Sequence, residues 1–358
     1  MRPVRPVTSA ARRTSRAGGR LRWAAPALVA AAVGSLVIGH TPAEPGPATA
    51  APAEAKTSVA EITTVATKRV ELRRRKGSVV GDGRTIYIAN RTEFRPARTK
   101  VGLPPRVRGG AWVVVDLDSG RLLGKHRART KLPQASTMKL LTALTATRTI
   151  RPRATHRVTK FEASQICSCA GIKRGRLYRR NTLLAGMLLP SGNDAAEAVA
   201  GSHPHGRRAF YRAMNDLARE LGASETVAKN ASGLTAAGSH SSARDLVLFL
   251  RAATADETIS RILAKRKASI ATVAGRHRHV VWRSTDYVNK YEGSLGKSGW
   301  TTPAKNTLVV VTEIDGRRIA VASLGVPSGY STSGARALTR WAAENLTGLK
   351  AVGRLPLA

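Results

Sequence analysis

The sequence predicts an α/β fold over residues 108–350: an antiparallel sheet covered by helices, an adjoining helical half, and a site between the two. Three observations carry this. Apolar strand-like segments stand at both ends of the region, at 111–117 and again at about 307–313 and 318–325. The stretch between them is dominated by helix-like apolar spacing. A span of about 240 residues is long enough for one large core, and no internal repeat interrupts it.

The elements follow in chain order. Residues 1–22 hold seven arginines and no acid, and an apolar run follows from Trp23 to Ile38. An Ala/Pro tract then ends in Ala48-Thr49-Ala50, which suits a signal-peptidase site. The run would span roughly 24 Å as a helix, against a bilayer core of about 30 Å. Residues 1–50 therefore read as an export signal or an N-terminal membrane anchor, with everything after the run outside. Residues 51–107 are rich in Ala, Pro, Thr and basic residues, with the run Arg73-Arg74-Arg75-Lys76. They read as a basic linker, largely disordered, with one small hairpin from Ser78 to Ala89 around Gly81-Asp82-Gly83. Trp112 to Asp116 is the first core strand. Pro133 and Gln134 precede a helix that opens at Ser136 and carries Met138, Leu140, Leu141, Ala143 and Leu144. A helix ends near Leu189 and another starts near Asp194. Ser294 lies between Gly293 and Gly296 and reads as a loop residue. Strands, a last helix at about Ser333 to Leu346, and a tail at 351–358 complete the chain.

Three motifs fall on this frame. Ser136-Thr137-Met138-Lys139 places a hydroxyl and an amine one helical turn apart on one face. The helix start adds a positive field that favours a developing alkoxide. Alone, Ser136 would read as an ordinary N-cap; the other motifs change that reading. Ser191-Gly192-Asn193 supplies a second hydroxyl, placed to relay a proton from Lys139 to a departing amine. Its Asn193 could offer an amide to a peptide and hold Lys139 with its other end. Lys297-Ser298-Gly299 precedes the apolar strand Thr307–Val311. There Lys297 and Ser298 can hold a substrate carboxylate, and Gly299 lets a substrate backbone lie close. The N–H groups of Ser136 and Trp300 would form an oxyanion hole. Together these residues compose acyl transfer through a serine ester, with no histidine. A second S-x-x-K, Ser294 to Lys297, lacks the helix that this chemistry needs.

These residues and their flanks resemble the penicillin-binding D-alanyl-D-alanine carboxypeptidases. The likeness extends through Trp112–Gly120, Leu132–Ser136, Met187–Ala196, Asn230–Leu234 and Ser241–Leu246, about Arg108 to Gly348 in all. The resemblance implies a β-lactamase/penicillin-binding transpeptidase-like fold, peptidoglycan stem peptides as substrate and β-lactams as covalent inhibitors. No metal or organic cofactor is implied. Ser298 stands where the family usually has threonine, which keeps the hydroxyl but loosens its rotamer. Trp300 follows the glycine where an aromatic residue or His is common. Larger family members add a β-rich domain and an amphipathic membrane helix after the catalytic part. Here the chain runs out soon after its last helix, so anchoring is expected at the front.

The chain carries 60 Lys and Arg against 22 Asp and Glu, a net charge of +38. Residues 1–110 account for +15 of this and the catalytic region for +23. Such a field attracts polyanions, and an anionic cell wall or membrane surface suits an exported enzyme. Nucleic acid is not expected: zinc-finger spacing, helix-turn-helix pattern and stacking aromatics are missing from the sequence. Cys167 and Cys169 are the only cysteines. Their spacing is poor for a metal. An oxidised pair and two buried thiols both remain open, since closing so short a loop works against the bond.

The expected reaction is removal of the terminal D-Ala from a stem peptide. Ser136 attacks, a neutral Lys139 takes its proton, Ser191 passes the proton on, and water hydrolyses the acyl-enzyme. Burial and Lys297 should depress the Lys139 pKa. A serine β-lactamase is the near alternative. Its common form needs a glutamate in E-x-x-x-N spacing, and Glu225 and Asn230 are one residue too far apart. A catalytically silent cell-wall-binding protein is the more distant alternative.

Overall fold

The computed structural model describes residues 69–71, 77–89 and 91–356. Among the described residues, nine strands form the main sheet: β1 (Arg69–Glu71), β2 (Ile86–Ala89), β3 (Thr92–Pro96), β4 (Ala111–Asp116), β5 (Arg121–His126), β6 (Ser294–Thr301), β7 (Lys305–Ile314), β8 (Arg317–Val326) and β9 (Leu349–Lys350). The order across it is β1-β2-β3-β5-β4-β8-β7-β6, with β9 also paired to β3. All pairs but β1–β2 are antiparallel.

Near-continuous apolar runs in β4, β7 and β8 reflect burial on both faces, with successive side chains going to opposite sides. Val113, Val115, Val309, Val311, Ala320 and Ala322 join the larger core with the helical half. Trp112, Val114, Leu308, Val310, Ile319 and Val321 join a second core on the other face. The larger core is filled by α1 (Lys139–Thr149), α2 (Arg180–Leu188), α3 (Asn193–Gly201), α4 (Gly206–Glu220), α5 (Ala243–Ala255) and α6 (Glu257–Ala264). The first eight residues of α1 are all buried, so it runs as a core helix through the middle of the molecule. On the other face α7 (Ser331–Glu344) contributes Ala335, Leu338, Trp341 and Ala342.

Three sequence expectations need correction. Residues 51–107 are not a largely disordered linker throughout: from Arg69 onward the described part supplies β1, β2 and β3, and Ser78–Val80 pairs with Lys100–Gly102. Phe94 and Val101 are buried in the second core, where Phe94 meets Tyr87 and, edge-on, Trp341. A few well-spaced apolar residues hold these strands despite their surrounding charge. The expected 78–89 hairpin does not form: Ser78–Val80 pairs with Lys100–Gly102, and Ile86–Ala89 pairs with Arg69–Glu71 and with the adjacent Thr92–Pro96, although Asp82 does close a turn by accepting the N–H groups of Arg84 and Thr85. Residues 351–356 are not a loose tail. Val352 and Leu355 donate to Leu122 O and Gly120 O, and Leu355 is buried. The expected export segment and residues 51–68 lie outside the described residues.

Candidate active site

Ser136 sits in a 3-10 turn, Ala135–Met138, which runs directly into α1. Its hydroxyl is not spent on capping: Ser136 Oγ lies 2.8 Å from Lys139 Nζ. The turn is pinned from two sides. Thr137 Oγ1 and Thr307 Oγ1 of β7 both donate to the Gln134 carbonyl, at 2.6 and 3.0 Å. Ala135 is held at φ 49° and Ser191 at φ 65°. Left-handed backbone at non-glycine residues costs about 1–3 kcal/mol each, and such strain persists only where the surroundings over-determine it.

Two close approaches help fix Ala135. A Cβ on Gly233 would lie 2.0 Å from Ala135 O, and one on Gly299 would lie 2.6 Å from Ser136 N. The 230–234 turn and the edge strand β6 therefore both close on the peptide that joins Ala135 to Ser136. Only side chains without a Cβ permit this.

Lys139 is fully buried. Beyond Ser136, its Nζ donates to Asn193 Oδ1 and to Ser232 O, both at 2.7 Å. These two partners can only accept, whereas Ser136 can also donate. A neutral amine has two hydrogens and one lone pair. With the hydrogens on Asn193 and Ser232, the lone pair faces the Ser136 hydroxyl, which is the arrangement of a general base and its nucleophile. The pKa of Lys139 is pushed well below its ordinary value, first by burial and then by Lys297, while Glu197 and Asp194 oppose the shift.

Asn193 opens α3, and both ends of its amide are engaged: Nδ2 donates to Ile166 O at 2.6 Å. One N–H expected for a peptide substrate thus belongs to the 166–172 loop. That loop is bound further by Asn193 N–H to Ser168 O and by Asp194, whose carboxylate accepts from Ala170, Gly171 and Ile172. Cys167 and Cys169 are joined as a disulfide on this loop. Cys167 lines the cleft and is exposed, and Cys169 is only half-buried, so the buried-thiol alternative does not hold.

Lys297 on β6 is buried and donates to Ser298 O at 2.7 Å. Burial lowers its pKa to about 7. Ser298 Oγ lies 3.4 Å from Thr285 Oγ1, a long contact that leaves the hydroxyl free to turn to a ligand. A cleft of about 590 Å³ is lined by Ser136, Ser191, Asn193, Ser298, Gly299 and Trp300 together with the 166–168 loop and Gly233–Thr235. None of its lining residues is acidic. Glu225 lies elsewhere, paired with Arg129. Ser294, expected in a loop, begins β6 and contacts Thr312 Oγ1 at 2.9 Å. On a strand, residues three apart face opposite sides, so Ser294 and Lys297 cannot act as a pair.

Two contributors carried no assigned role in the sequence. Ser232 acts through its carbonyl. Buried Glu197, one turn beyond Asn193 on α3, accepts the N–H groups of Ala231 and Ser232 at 3.1 and 3.2 Å. It also accepts from Tyr211 Oη at 2.5 Å, with Arg207 at 3.5 Å.

A sheet edge carrying a buried lysine, facing a helix-start serine with a buried lysine beneath it, defines a serine acyl-transfer enzyme of the penicillin-binding fold. Residues 98–328 match the family described as D-alanyl-D-alanine carboxypeptidase, and the chain belongs to that family. It is similar to the D-alanyl-D-alanine carboxypeptidase DacB2 of Mycobacterium tuberculosis, 35% identical over 216 residues that cover 60% of this chain and 73% of the relative. It is also similar to DacD of Escherichia coli, 28% identical over 269 residues, 70% of this chain and 67% of the relative. Among solved structures, a D-alanyl-D-alanine carboxypeptidase from M. tuberculosis H37Rv superposes with a TM-score of 0.67 at 33% identity, covering 73% of this chain and 99% of that one. The Streptomyces K15 DD-transpeptidase shares the fold, with a TM-score of 0.64 at 23% identity over 67% of this chain and 98% of that one.

Proposed function

We infer that this chain is a serine D-alanyl-D-alanine carboxypeptidase that removes the terminal D-Ala of peptidoglycan stem peptides and is acylated by β-lactams. The carrying observation is the set of three partners on Lys139, which leaves its lone pair to Ser136. In this reading Ser136 attacks the carbonyl between the two D-Ala residues and Lys139 takes its proton. Ser191, on the same cleft, returns a proton to the leaving amine. The N–H groups of Ser136 and Trp300 receive the oxyanion. Lys297 and Ser298 hold the terminal carboxylate. With no carboxylate lining the cleft among the described residues to activate water, a penicilloyl ester should persist, which favours a peptidase over a serine β-lactamase.

The reaction takes place outside the cytoplasm, since its substrate belongs to the wall. Export through residues 1–50, by a cleaved signal or a retained anchor, supplies the route. The basic catalytic region fits an anionic envelope surface.

The test is release of free D-Ala from a stem pentapeptide, run beside covalent labelling by a fluorescent penicillin. Both should be present in wild type and absent in Ser136→Ala. D-Ala release that survives in the folded Ser136→Ala protein overturns the assignment.

A further inference from the structure

The positive charge of the catalytic region is concentrated in one lobe. Segments 151–180 and 258–285 hold sixteen Lys and Arg and a single acid, Glu162. The rest of 111–358 holds 23 basic and 15 acidic residues, close to the balance of an ordinary surface. The two segments are joined in space. The hairpin Lys267–Ile270/His279–Trp282 reaches the hairpin Thr155–Arg157/Leu177–Arg179 through Val273 N–H to Leu177 O, at 2.8 Å. A His279 ring nitrogen also lies 2.6 Å from Ala170 O. Fourteen of the sixteen cations are exposed, and of these only Arg261 has a carboxylate partner among the described residues. Glu162 is itself buried and paired with His156 and Arg207.

The same lobe exposes apolar side chains. In the 267–282 hairpin, Lys267 stands opposite Trp282 and Ser269 opposite Val280, while Ile270 and Val281 turn to the core. Trp282 and Val280 therefore share the outward face and are 59% and 52% exposed. The Lys267 ammonium lies 5.3 Å from the centre of the indole. Ile166, 73% exposed, carries this apolar character to the rim of the catalytic cleft.

We propose that this lobe docks the protein on an anionic lipid surface, with Trp282 and Val280 entering the headgroup region and the cleft rim held close to it. A soluble polyanion would engage the cations alone and leave the outward aromatic and aliphatic side chains in water. An anionic bilayer satisfies both: lipid phosphates meet the Lys and Arg, and the interface takes up the indole and valine. The proposal deepens the reading of an envelope-surface enzyme and is independent of the Ser136 chemistry.

The experiment is flotation of the full chain with phosphatidylglycerol vesicles, with phosphatidylcholine vesicles as the neutral control and inorganic polyphosphate as a soluble competitor. Three variants are compared with wild type. Arg276→Gln/Arg278→Gln removes two lobe charges and Trp282→Ser removes the wedge. Arg340→Gln/Lys350→Gln removes two charges from outside the lobe, one on α7 and one on the sheet strand β9. Penicillin labelling reports that each is folded. The lobe pair should weaken binding to the anionic vesicles about tenfold or more at moderate salt, given the attraction contributed by each basic residue. Trp282→Ser should weaken it severalfold with charge unchanged, and the control pair should have little effect. Equal losses in the lobe and control pairs overturn the proposal. So does binding indifferent to Trp282 and fully displaced by polyphosphate, which would make the lobe a site for a soluble polyanion. Wild type that floats with the anionic vesicles yet takes no penicillin label would count against the catalytic reading alone.

Discussion

Glu197 and Lys139 are joined through the backbone of one residue: Glu197 accepts the Ser232 N–H, and the Ser232 carbonyl accepts from Lys139. The carboxylate thus holds the turn that holds the base, and its charge also favours the protonated lysine. Burial and Lys297 act in the opposite direction. Arg207 and Tyr211 face Glu197 from α4, and Asp194 adds a second negative charge from α3.

Glu197→Gln keeps an acceptor for the two N–H groups while removing the charge. The Lys139 pKa should fall, so the neutral base should persist to lower pH. The acid limb of kcat/KM against pH should therefore move to lower pH. Glu197→Ala, which leaves two buried N–H groups without an acceptor, should cost about 1–3 kcal/mol for each in urea unfolding. An acid limb that stays in place in a folded Glu197→Gln protein would reduce Glu197 to a purely structural role.

The two S-x-x-K copies make opposite predictions. Ser136→Ala should abolish penicillin labelling. Ser294→Ala should leave it largely intact, because the Ser294 hydroxyl contacts Thr312 and has no geometric access to Lys297. Loss of label in the Ser294 variant with label retained in the Ser136 variant would refute the nucleophile assignment.

Lys139→Ala should lower the acylation rate by at least ~10²-fold, the scale for losing a general base. Stopped-flow acylation by a chromogenic cephalosporin gives the rate. A folded variant acylating at the wild-type rate would remove Lys139 from the mechanism.

Gly299→Ala tests the close approach of β6 to the nucleophile. The added methyl would meet Ser136 N at 2.6 Å and Thr307 Oγ1 at 2.7 Å, so strand and turn must separate. Acylation should fall about 10²-fold through misplacement alone, with a smaller change in melting temperature. Wild-type acylation would mean that the strand can yield without disturbing Ser136.

The motifs were legible because their chemistry imposes local spacing: three residues place Lys139 under Ser136, and two place Asn193 beside Ser191. The strands β4, β7 and β8 were legible as apolar runs because both of their faces are buried. Glu197 was not, because it acts on backbone groups 34 and 35 residues away and resembles any other helix residue. Residues 69–102 were misread because their few apolar side chains are diluted by charge, and their burial depends on Trp341 far along the chain. The Cys167–Cys169 bond stayed open because local spacing argued against it, while the anchoring of its loop by Asn193 and Asp194 appears only in three dimensions.

The third motif makes the sharpest separation between binding and chemistry. Lys297 must be charged to hold a carboxylate, and its pKa is lowered to about 7 by burial in the unliganded protein. Above that pH the free enzyme loses the cation, so kcat/KM for a peptide ending in free D-Ala should fall on the alkaline side. The same peptide amidated at its C-terminus has no carboxylate to lose and should be slower throughout, with a much weaker alkaline decline. Ser298→Ala removes one hydrogen bond to a charged group, worth ~1.5–3 kcal/mol. It should therefore lower kcat/KM for the free peptide by roughly ten- to a hundredfold, leave the amidated peptide nearly unchanged, and be rescued by Ser298→Thr. The measurement is kcat/KM for both peptides across pH with wild type and both variants. Equal losses for free and amidated peptides would assign Ser298 a structural role beside Thr285, and parallel alkaline limbs would take the carboxylate away from Lys297.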